Sequence, residues 1–438
     1  MKKFILLGLS LMTILSSVAQ SSRVFRSEFL TYDTREDATA DRRSQIARHT
    51  VFKPTLFTEG AGQKRYLQNL EIDGTMNDYN LFLHLENIGA AYTLLINNEV
   101  VAEVEDPITP ADFMVSSYLH QGLNEVIIAL RESLTPQLQE GVKPLGTKLF
   151  DNSYFFAQRR LAVYDYSIIL EPDSTRQFAQ LQLDVAVIND FNFAETIQVG
   201  FDIYNPKGKL MEFSVNELEV EGRSIDTLTF HPYIYHANEF KWGGGQRSLY
   251  SVMLYIKRNG MLWEYIPLKV GFGKTEYSDG KFYRFDKELQ LKKKAHFNAK
   301  ADREQTRKEI EQLRQGGYNT LCPDYPQPKW FYDMCDAAGL FVIDCANINS
   351  PTNNDNRTVG GTPANEPALV DEYIERVKAM YYRSRNHSCI IGFALSGTNS
   401  GNGYNMYKAY EWLKSVESRL PVFYEGAQGE WNTDMTEL

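Results

Sequence analysis

The sequence has few cysteines, little positive charge and no long apolar segment. Only 4 of its 438 residues are Cys, and all four lie in the last third of the chain. Acidic residues outnumber basic ones by 56 to 46, which gives a net charge of −10 at pH 7. An acidic chain without a basic stripe is not expected to bind nucleic acid or an anionic membrane. No apolar run reaches the roughly 20 residues that a membrane-spanning helix needs, so we expect no membrane span.

Metal-binding patterns are also lacking. The 7 His residues are scattered and show no metal-ligand spacing, so we expect neither a metal nor a cofactor. Cys322 and Cys345 form the best-placed cysteine pair, because they end two strands that we expect to lie side by side. An oxidising compartment would permit a disulfide between them, and buried free thiols are the alternative.

The first 19 residues have the pattern of a secretory signal peptide. Lys2 and Lys3 precede an apolar run from Phe4 to Val18, and Ser17-Val18-Ala19 supplies the small residues of a cleavage site. No Cys follows this run, which argues against a lipid anchor. We therefore expect an exported protein, in the periplasm, at the cell surface or secreted, whose mature chain begins near Gln20.

Two strand-rich regions follow, covering residues 20–165 and 166–280. Asn80 to Glu86 and Phe178 to Val187 alternate apolar and polar residues, as strands with one buried face do. Tyr92 to Val104 passes through Asn97-Asn98, which is typical of a two-residue hairpin turn. Both regions are predicted to consist mainly of β-strands.

From about residue 281 the pattern changes to alternating strands and helices. Ile390 to Leu395 is a short apolar run that predicts a buried parallel strand. Asp302 to Arg314 predicts a helix, with Asp302 as its N-cap and Gly316-Gly317 as its end. Such alternation predicts a parallel sheet, and in these folds functional side chains follow the carboxyl ends of the strands.

Asn386 to Gly403 reads NHSCIIGFALSGTNSGNG and resembles a motif of glycoside hydrolase family 2, the β-galactosidase and β-glucuronidase group. That motif reads roughly N-H-P-S-(I/V)-I-x-W-S-L-G-N-E-S-G-x-G, and its Glu is the catalytic acid/base. Val270 to Lys274 is similar to the V-G-F-R-x signature that ends the family's second domain. The resemblance implies a multidomain fold with a β part and an α/β part. We expect a signal peptide (1–19), a jelly-roll domain like those that bind sugars (20–165), an immunoglobulin-like β-sandwich (166–280) and a truncated (β/α)8 TIM-type barrel (281–438).

The acid/base position carries no carboxylate in this chain. Aligned from the left the family's Glu falls on Thr398, and aligned from the right it falls on Asn399. The resemblance places the nucleophilic Glu on a strand beyond Thr433-Asp434, so we expect the barrel to be truncated and to lack that strand. A retaining glycosidase needs two carboxyl groups about 5 Å apart. We therefore expect no catalytic residue.

Polar and aromatic side chains nevertheless remain near the predicted strand ends. Asp324 and Glu425 are the carboxylates left there, and Asp344 is expected to serve a hydrogen-bond network. His296 is interpreted as the remnant of a family motif at the first barrel strand. An amide cannot act as an acid, but it can bond to a sugar hydroxyl. The candidate sugar-binding residues are Asp324, Tyr325, Asn347, Asn349, Asn399, Glu425 and Trp431.

Three functions remain open. The first is an exported, catalytically inactive, glycan-binding β-galactosidase-like protein of carbohydrate metabolism. The second is an active retaining exo-β-glycosidase with rearranged carboxylates, and the third is a structural or assembly protein of the cell envelope. The expected partners are a glycan or oligosaccharide and another protein chain, or a second copy, that covers the open edge of an incomplete barrel. A vestigial loop without any ligand is the alternative to a sugar site.

Overall fold

The structure, a computed structural model, describes residues 22–41, 49–57, 64–142, 148–171, 179–285, 287–352, 355–435 and 437. It confirms the predicted fold class, since antiparallel β-sandwiches precede a parallel α/β segment that forms part of a TIM-type barrel. The predicted signal peptide, residues 1–19, lies outside the described residues. None of the described helices is long and apolar enough to cross a membrane.

The first sandwich consists of two five-stranded antiparallel sheets. Its elements are β1 (Arg23–Val24), α1 (Arg35–Ala40), β2 (His49–Val51), β3 (Thr55–Phe57), β4 (Arg65–Ile72), β5 (Tyr79–Leu85), β6 (Tyr92–Ile96), β7 (Glu99–Val104), β8 (Ala111–Met114), β9 (Gly122–Leu130) and β10 (Tyr154–Arg159). One sheet has the order β1-β8-β5-β10-β2 and the other β3-β4-β9-β6-β7, with Leu83, Leu94 and Phe113 buried between them. The predicted hairpin is confirmed: Asn97 and Asn98 have φ of 51° and 68°, as a type I′ turn requires.

The second sandwich is built from longer strands. Its elements are β11 (Leu161–Glu171), β12 (Ala179–Asn189), β13 (Glu195–Tyr204), β14 (Leu210–Val220), β15 (Ser224–Phe230), β16 (Tyr233–Ile234), β17 (Trp242–Gly243), β18 (Gln246–Arg247), β19 (Tyr250–Arg258) and β20 (Met261–Val270). The sheets β11-β12-β15 and β14-β13-β19-β20 enclose a core that includes Val185, Val199 and Leu254. The domain boundary predicted at residue 165 falls inside β11, whose first residues pack in this second core.

The last part of the chain is a parallel sheet with helices between its strands. Three short antiparallel strands lead into it, namely β21 (Thr275–Ser278), β22 (Lys281–Arg284) and β23 (Lys287–Glu288). The α/β elements are β24 (Lys293–Ala295), α2 (Arg303–Gln315), β25 (Thr320–Cys322), α3 (Lys329–Ala338), β26 (Phe341–Cys345), α4 (Val370–Ser384), β27 (Ile390–Ala394), α5 (Tyr404–Val416) and β28 (Val422–Phe423). The five strands pair in chain order, and each pair is parallel.

Two local predictions in this region can be compared with the structure. Asp302 is the N-cap of α2, as predicted, and its carboxylate accepts from the N–H groups of Glu304 and Gln305. The spacing of the apolar positions 369, 370, 373, 377 and 380 also predicts a helix from Glu366 to Arg383, but α4 begins only at Val370. Short 3₁₀ turns precede it, and Pro367 opens the second of them. Proline disfavours a helical conformation for the residue before it, which explains why Glu366 is extended and lies outside the helix.

Residues 22–32 form a strap that contacts all three parts of the molecule. Ser27 N–H donates to Asp165 Oδ1 at 3.0 Å, on the second sandwich. Arg383 of α4 donates to Glu28 Oε2 at 2.9 Å, which joins the strap to the α/β part. Tyr32 forms an antiparallel bridge with Tyr265 of β20. The parts are therefore held together partly by buried charged groups.

Glu264 lies at the seam between the two sandwiches and is almost completely buried. Its Oε2 accepts from Val163 N–H at 2.9 Å, and its Oε1 accepts from Gln158 at 3.1 Å. Burial nevertheless raises the pKa of the Glu264 carboxyl from 4.5 to about 7, because the charged form is poorly solvated. The folded state then holds this proton more tightly than the unfolded state does. The Glu264 contribution to stability is therefore greatest below pH 4.5 and declines as the pH rises to about 7.

We predict that Glu264→Gln removes this part of the pH dependence. Between pH 4.5 and pH 8 the stability of the variant relative to the wild type should rise by about 3 kcal/mol, since the glutamine has no proton to lose. Thermal unfolding of both proteins across this pH range measures the effect, with the exposed Glu217→Gln as the matched control. A difference in melting temperature that does not change with pH would contradict the prediction.

Candidate functional site

The carboxyl ends of β24 to β28 lie side by side, because all five strands are parallel. Each strand leads directly into a loop that carries residues singled out in the sequence. We call this edge with its loops the cup. It brings together His296 after β24, Asp324 and Tyr325 after β25, Asn347 and Asn349 after β26, Thr398 and Asn399 after β27, and Glu425 after β28.

Thr398, the first of the two aligned acid/base positions, is half-buried and bonded within the protein. Its Oγ1 donates to Asn349 Oδ1 at 2.6 Å, and its backbone N–H lies 3.3 Å from Ser396 Oγ. A hydroxyl has one proton to donate, and here it is already directed at an amide oxygen. The side chain at residue 398 is therefore an uncharged hydroxyl whose proton is already used in a hydrogen bond.

Asn399, the second aligned position, holds the loop after β27 in shape. Its Oδ1 accepts from Gly401 N–H at 3.1 Å, which is an Asx-turn contact. The loop after β28 packs closely against it, because a Cβ atom at Gly426 would lie only 2.8 Å from Asn399 Oδ1. Tyr424 reinforces this packing by donating its hydroxyl proton to the carbonyl of Gly401. The second position therefore carries an amide in a tightly packed loop.

Asn349, in the loop after β26, bonds to a loop of the first sandwich, residues 135–142. The sequence did not predict this contact. Asn349 N–H donates to Leu138 O at 2.7 Å, and Glu140 N–H donates to Asn349 O at 2.8 Å. The side-chain amide of Asn349 also donates to the carbonyl of Glu140. Because its Oδ1 accepts from Thr398, both ends of the amide are engaged within the protein. No local pattern signals this contact, since Glu140 and Asn349 lie 209 residues apart.

Two of the predicted sugar-binding residues have little surface. Asn347 is completely buried, and its Nδ2 donates to Asp106 Oδ1 at 2.7 Å. Only 9% of Tyr325 is exposed. Burial, together with the negative charge of Asp324, raises the pKa of the Tyr325 phenol to about 12. In this conformation both residues lie beneath the surface of the cup and support it from below.

Asp324 is more accessible, with 28% of its side chain exposed. His296 Nδ1 lies 2.6 Å from Asp324 Oδ1, and Asn298 donates to Oδ2 at 2.7 Å. Asn298 also accepts from the backbone N–H of Asp324 at 2.9 Å. The carboxylate is therefore held in a fixed orientation by neighbours from the loop after β24.

Glu425 and Trp431 are the exposed members of the seven predicted sugar-binding residues. Glu425 opens a 3₁₀ turn, Glu425–Ala427, directly after β28. The ring of Trp431 is 54% exposed, although it stacks on Tyr407 with centroids 5.1 Å apart and meets the edge of Tyr410 at 5.7 Å. These two residues offer the largest accessible surface of the predicted set.

Asp344, at the end of β26, is fully buried and belongs to a hydrogen-bond network, as predicted. Tyr332 donates its hydroxyl proton toward both carboxylate oxygens, at 2.9 and 3.0 Å, and Cys345 N–H donates to Oδ1 at 3.0 Å. Burial raises the pKa of Asp344 to about 6 although these bonds oppose the rise. All four cysteines, among them Cys322 and Cys345, are buried free thiols.

Two clusters of carboxylates and imidazoles lie outside the cup, although the sequence shows no metal-ligand spacing. In each cluster the potential ligand atoms lie within 4.8 Å of one another; the clusters are Glu28, His84 and Glu86, and Asp333, Asp336 and His387. Basic side chains form ion pairs with a carboxylate in each cluster: Arg383 pairs with Glu28, and Lys329 pairs with Asp333. Although burial opposes its charge, neighbouring carboxylates, chiefly Asp112, raise the pKa of His84 to about 10. We interpret both clusters as ion-pair networks.

Comparison with known proteins agrees with this architecture. Residues 292–438 match the family described as glycosyl hydrolases family 2, TIM barrel domain. The chain is 25% identical over 392 residues to a β-galactosidase of Streptococcus thermophilus, covering 85% of this chain and 36% of that protein. It is 27% identical over 372 residues to a β-galactosidase of Vibrio cholerae, covering 81% of this chain and 35% of that protein. The chain thus spans about a third of the length of these curated relatives.

Solved structures show the same fold at lower sequence identity. A β-glucuronidase of Bacteroides uniformis superposes with a TM-score of 0.68 at 16% identity, covering 83% of this chain and 46% of that one. A β-glucuronidase of Bifidobacterium dentium gives 0.61 at 17% identity, covering 86% and 67%. The fold and the cup thus define a glycosidase-type scaffold. Residues 292–438 are thus identified as a TIM barrel domain of glycoside hydrolase family 2, and the chain is similar to β-galactosidases over more than four fifths of its length.

We predict that Asn349→Ala lowers the stability of the protein and weakens the contact between the cup and the loop at residues 135–142. The substitution leaves the Thr398 hydroxyl and the carbonyl of Glu140 without their partner, which costs on the order of 1–3 kcal/mol of stability. Urea unfolding measures the loss, and limited proteolysis should cut the loop at residues 135–142 faster in the variant. The exposed Asn216→Ala on β14 is the matched control. Equal unfolding midpoints and equal cleavage rates in both variants would contradict the prediction.

Proposed function

We propose that this protein is a catalytically inactive, glycan-binding member of its family that holds a β-galactoside-type sugar in the cup. The proposal depends on one observation above all: both residues that align with the acid/base glutamate, Thr398 and Asn399, are neutral. The sugar class is suggested by the relatives called β-galactosidases. The family's proton donor aligns with the loop after β27, and this chain contains that loop.

The physical reason lies in the chemistry of the leaving group. Cleavage of a glycosidic bond needs an acid that gives its proton to the departing oxygen, and such an acid needs a pKa near the working pH. A threonine hydroxyl and an asparagine amide do not release protons in that range. The Thr398 proton is, in addition, directed toward Asn349 at 2.6 Å. These groups can bond to a sugar hydroxyl but cannot act as its acid.

The remaining cup suits binding. Asn399 is half-buried and lies close to Gly426, the residue after the exposed Glu425. The partly exposed Asp324 lies near Gly397, whose Cβ position would be 3.1 Å from Asp324 O. Carboxylates and amide oxygens accept hydrogen bonds from sugar hydroxyls, and the amide NH2 group also donates them. A polar surface of this kind can orient a sugar without bringing a proton donor to its glycosidic oxygen.

A second candidate, hydrolysis by rearranged carboxylates, has a specific observation in its favour. Asp324 and Glu425 are both accessible and both follow strands of the same edge. Hydrolysis would require one of them to act as the acid and the other as the nucleophile. Asp324 already has a partner on each of its oxygens, His296 and Asn298, which argues against a role as nucleophile.

We predict that the purified protein does not turn over aryl β-galactosides above the background of a mock purification. The expected reason is the missing proton donor at Thr398 and Asn399. Release of the aryl group followed by absorbance measures the rate. Turnover that disappears in Asp324→Asn and Glu425→Gln would overturn the proposal in favour of the second candidate, because a contaminating enzyme would not respond to these substitutions.

We predict that methyl β-D-galactopyranoside binds to the wild type and binds about tenfold more weakly to Asn399→Ala, a loss of roughly 1.4 kcal/mol. The loss is expected because the amide would no longer bond to a sugar hydroxyl. Isothermal titration calorimetry measures the affinity, and Asn216→Ala, remote from the cup, should bind like the wild type. Absence of any heat of binding for the wild type would contradict the proposal.

Export is part of the proposal and is supported by the pattern of the first 19 residues. We predict that the full-length chain, expressed in a Gram-negative host, is recovered outside the cytoplasm with an N-terminus near Gln20. Placing a charge in the apolar run with Leu9→Asp should keep the chain in the cytoplasm with Met1 in place, because the run would no longer be apolar. Cell fractionation with N-terminal sequencing decides the question. An unprocessed cytoplasmic wild type would refute export.

A further inference from the structure

An aromatic surface adjoins the cup on the first two turns of α5. We call Tyr404, Tyr407 and Trp431 the α5 platform. Tyr404 and Tyr407 are three residues apart on the helix, so they share one face, and Trp431 stacks on Tyr407. Trp431 is 54% exposed and Tyr404 is 52% exposed. Tyr404 and Trp431 are therefore each accessible to a ligand, with Tyr407 on the same helix face as Tyr404 and stacked on Trp431.

The platform is held rigidly. The Tyr407 hydroxyl donates to Glu430 Oε2 at 2.6 Å, and Arg357 bonds to the other oxygen of the same carboxylate. Tyr410 also meets Trp431 edge-on, with ring centroids 5.7 Å apart and the two rings at 82°. A ligand that binds to rings already fixed in this way loses little side-chain entropy on binding.

The platform is continuous with the cup. The loop that carries Trp431 is joined to the loop after β27 by a reciprocal pair of amides, Asn402 and Asn432. Asn432 Nδ2 donates to Asn402 Oδ1 at 2.8 Å, and Asn402 Nδ2 donates back to Asn432 Oδ1 at 3.1 Å. Both residues are almost completely buried. Asn402 lies only three residues after Asn399, so the loop that carries Trp431 is attached to the loop after β27 that lines the cup.

We propose that the α5 platform binds a further sugar ring, so that the ligand of the cup is an oligosaccharide and not a single sugar. This inference rests on the glycan-binding function proposed above. A pyranose has apolar C–H faces and a rim of hydroxyls, and it matches a surface of exposed aromatic faces beside a charged pair. Trp431 and Tyr404 supply the faces, and the Glu430–Arg357 pair supplies partners for the hydroxyl rim.

The test compares two probes on the full chain by isothermal titration calorimetry: methyl β-D-galactopyranoside and β-1,4-linked galactotetraose. In the wild type the tetraose should bind about tenfold more tightly than the single sugar. Trp431→Ala should bring the ratio of the two affinities close to one, and Trp431→Phe, which retains a ring, should keep part of the gain. Phe213→Ala, which removes an exposed ring on the second sandwich, should leave the ratio unchanged.

The results of these titrations distinguish the α5 platform from the glycan-binding function on which it depends. Equal affinity of the wild type for both probes, or an unchanged ratio in Trp431→Ala, overturns the platform and leaves the glycan-binding function standing. Failure of both probes to bind the wild type overturns both. Melting curves of the variants exclude unfolding as the cause of any loss, and loss of the chain-length gain in Trp431→Ala but not in Phe213→Ala supports the platform.

Discussion

Parallel hydrogen bonding from β24 to β28 determines the position of every candidate residue in the cup. Because all five strands run in one direction, the loops that follow them meet at one edge, whatever side chains they carry. The same loops can therefore carry different side chains without a change in the scaffold. Thr398 and Asn399, the two positions that the motif resemblance aligns with the family's acid, follow the buried strand β27.

The neutral groups in the cup are bonded within the fold. Thr398 bonds to Asn349, and Asn349 bonds in turn to the loop of the first sandwich at Glu140. A carboxylate at residue 398 would place a negative charge beside the amide oxygen that now accepts the threonine proton. The present network suits a hydroxyl, and it couples the cup to a domain that is distant in sequence.

Buried charged groups hold the three parts of the molecule in one arrangement. The strap pairs Glu28 with Arg383 of α4, and Asp165 of the second sandwich pairs with Arg385 at 2.7 Å. Removing one partner of such a pair leaves an uncompensated charge, which is far more costly than losing an exposed ion pair. The loop at residues 135–142 can therefore meet the cup in a defined position.

Sequence alone determined the elements that depend on near neighbours. The hairpin at Asn97-Asn98, the capped start of α2 and the alternation of strands and helices follow from residues a few positions apart, and so does the family motif that located the loop after β27. Tertiary structure decided which side chains in that region are available. Asn347 is buried by Asp106, Asn349 is engaged by Glu140, and Trp431 is supported by Tyr407. The first two contacts join residues more than 200 positions apart, and all three depend on how loops from different elements meet, which no local pattern in a sequence encodes.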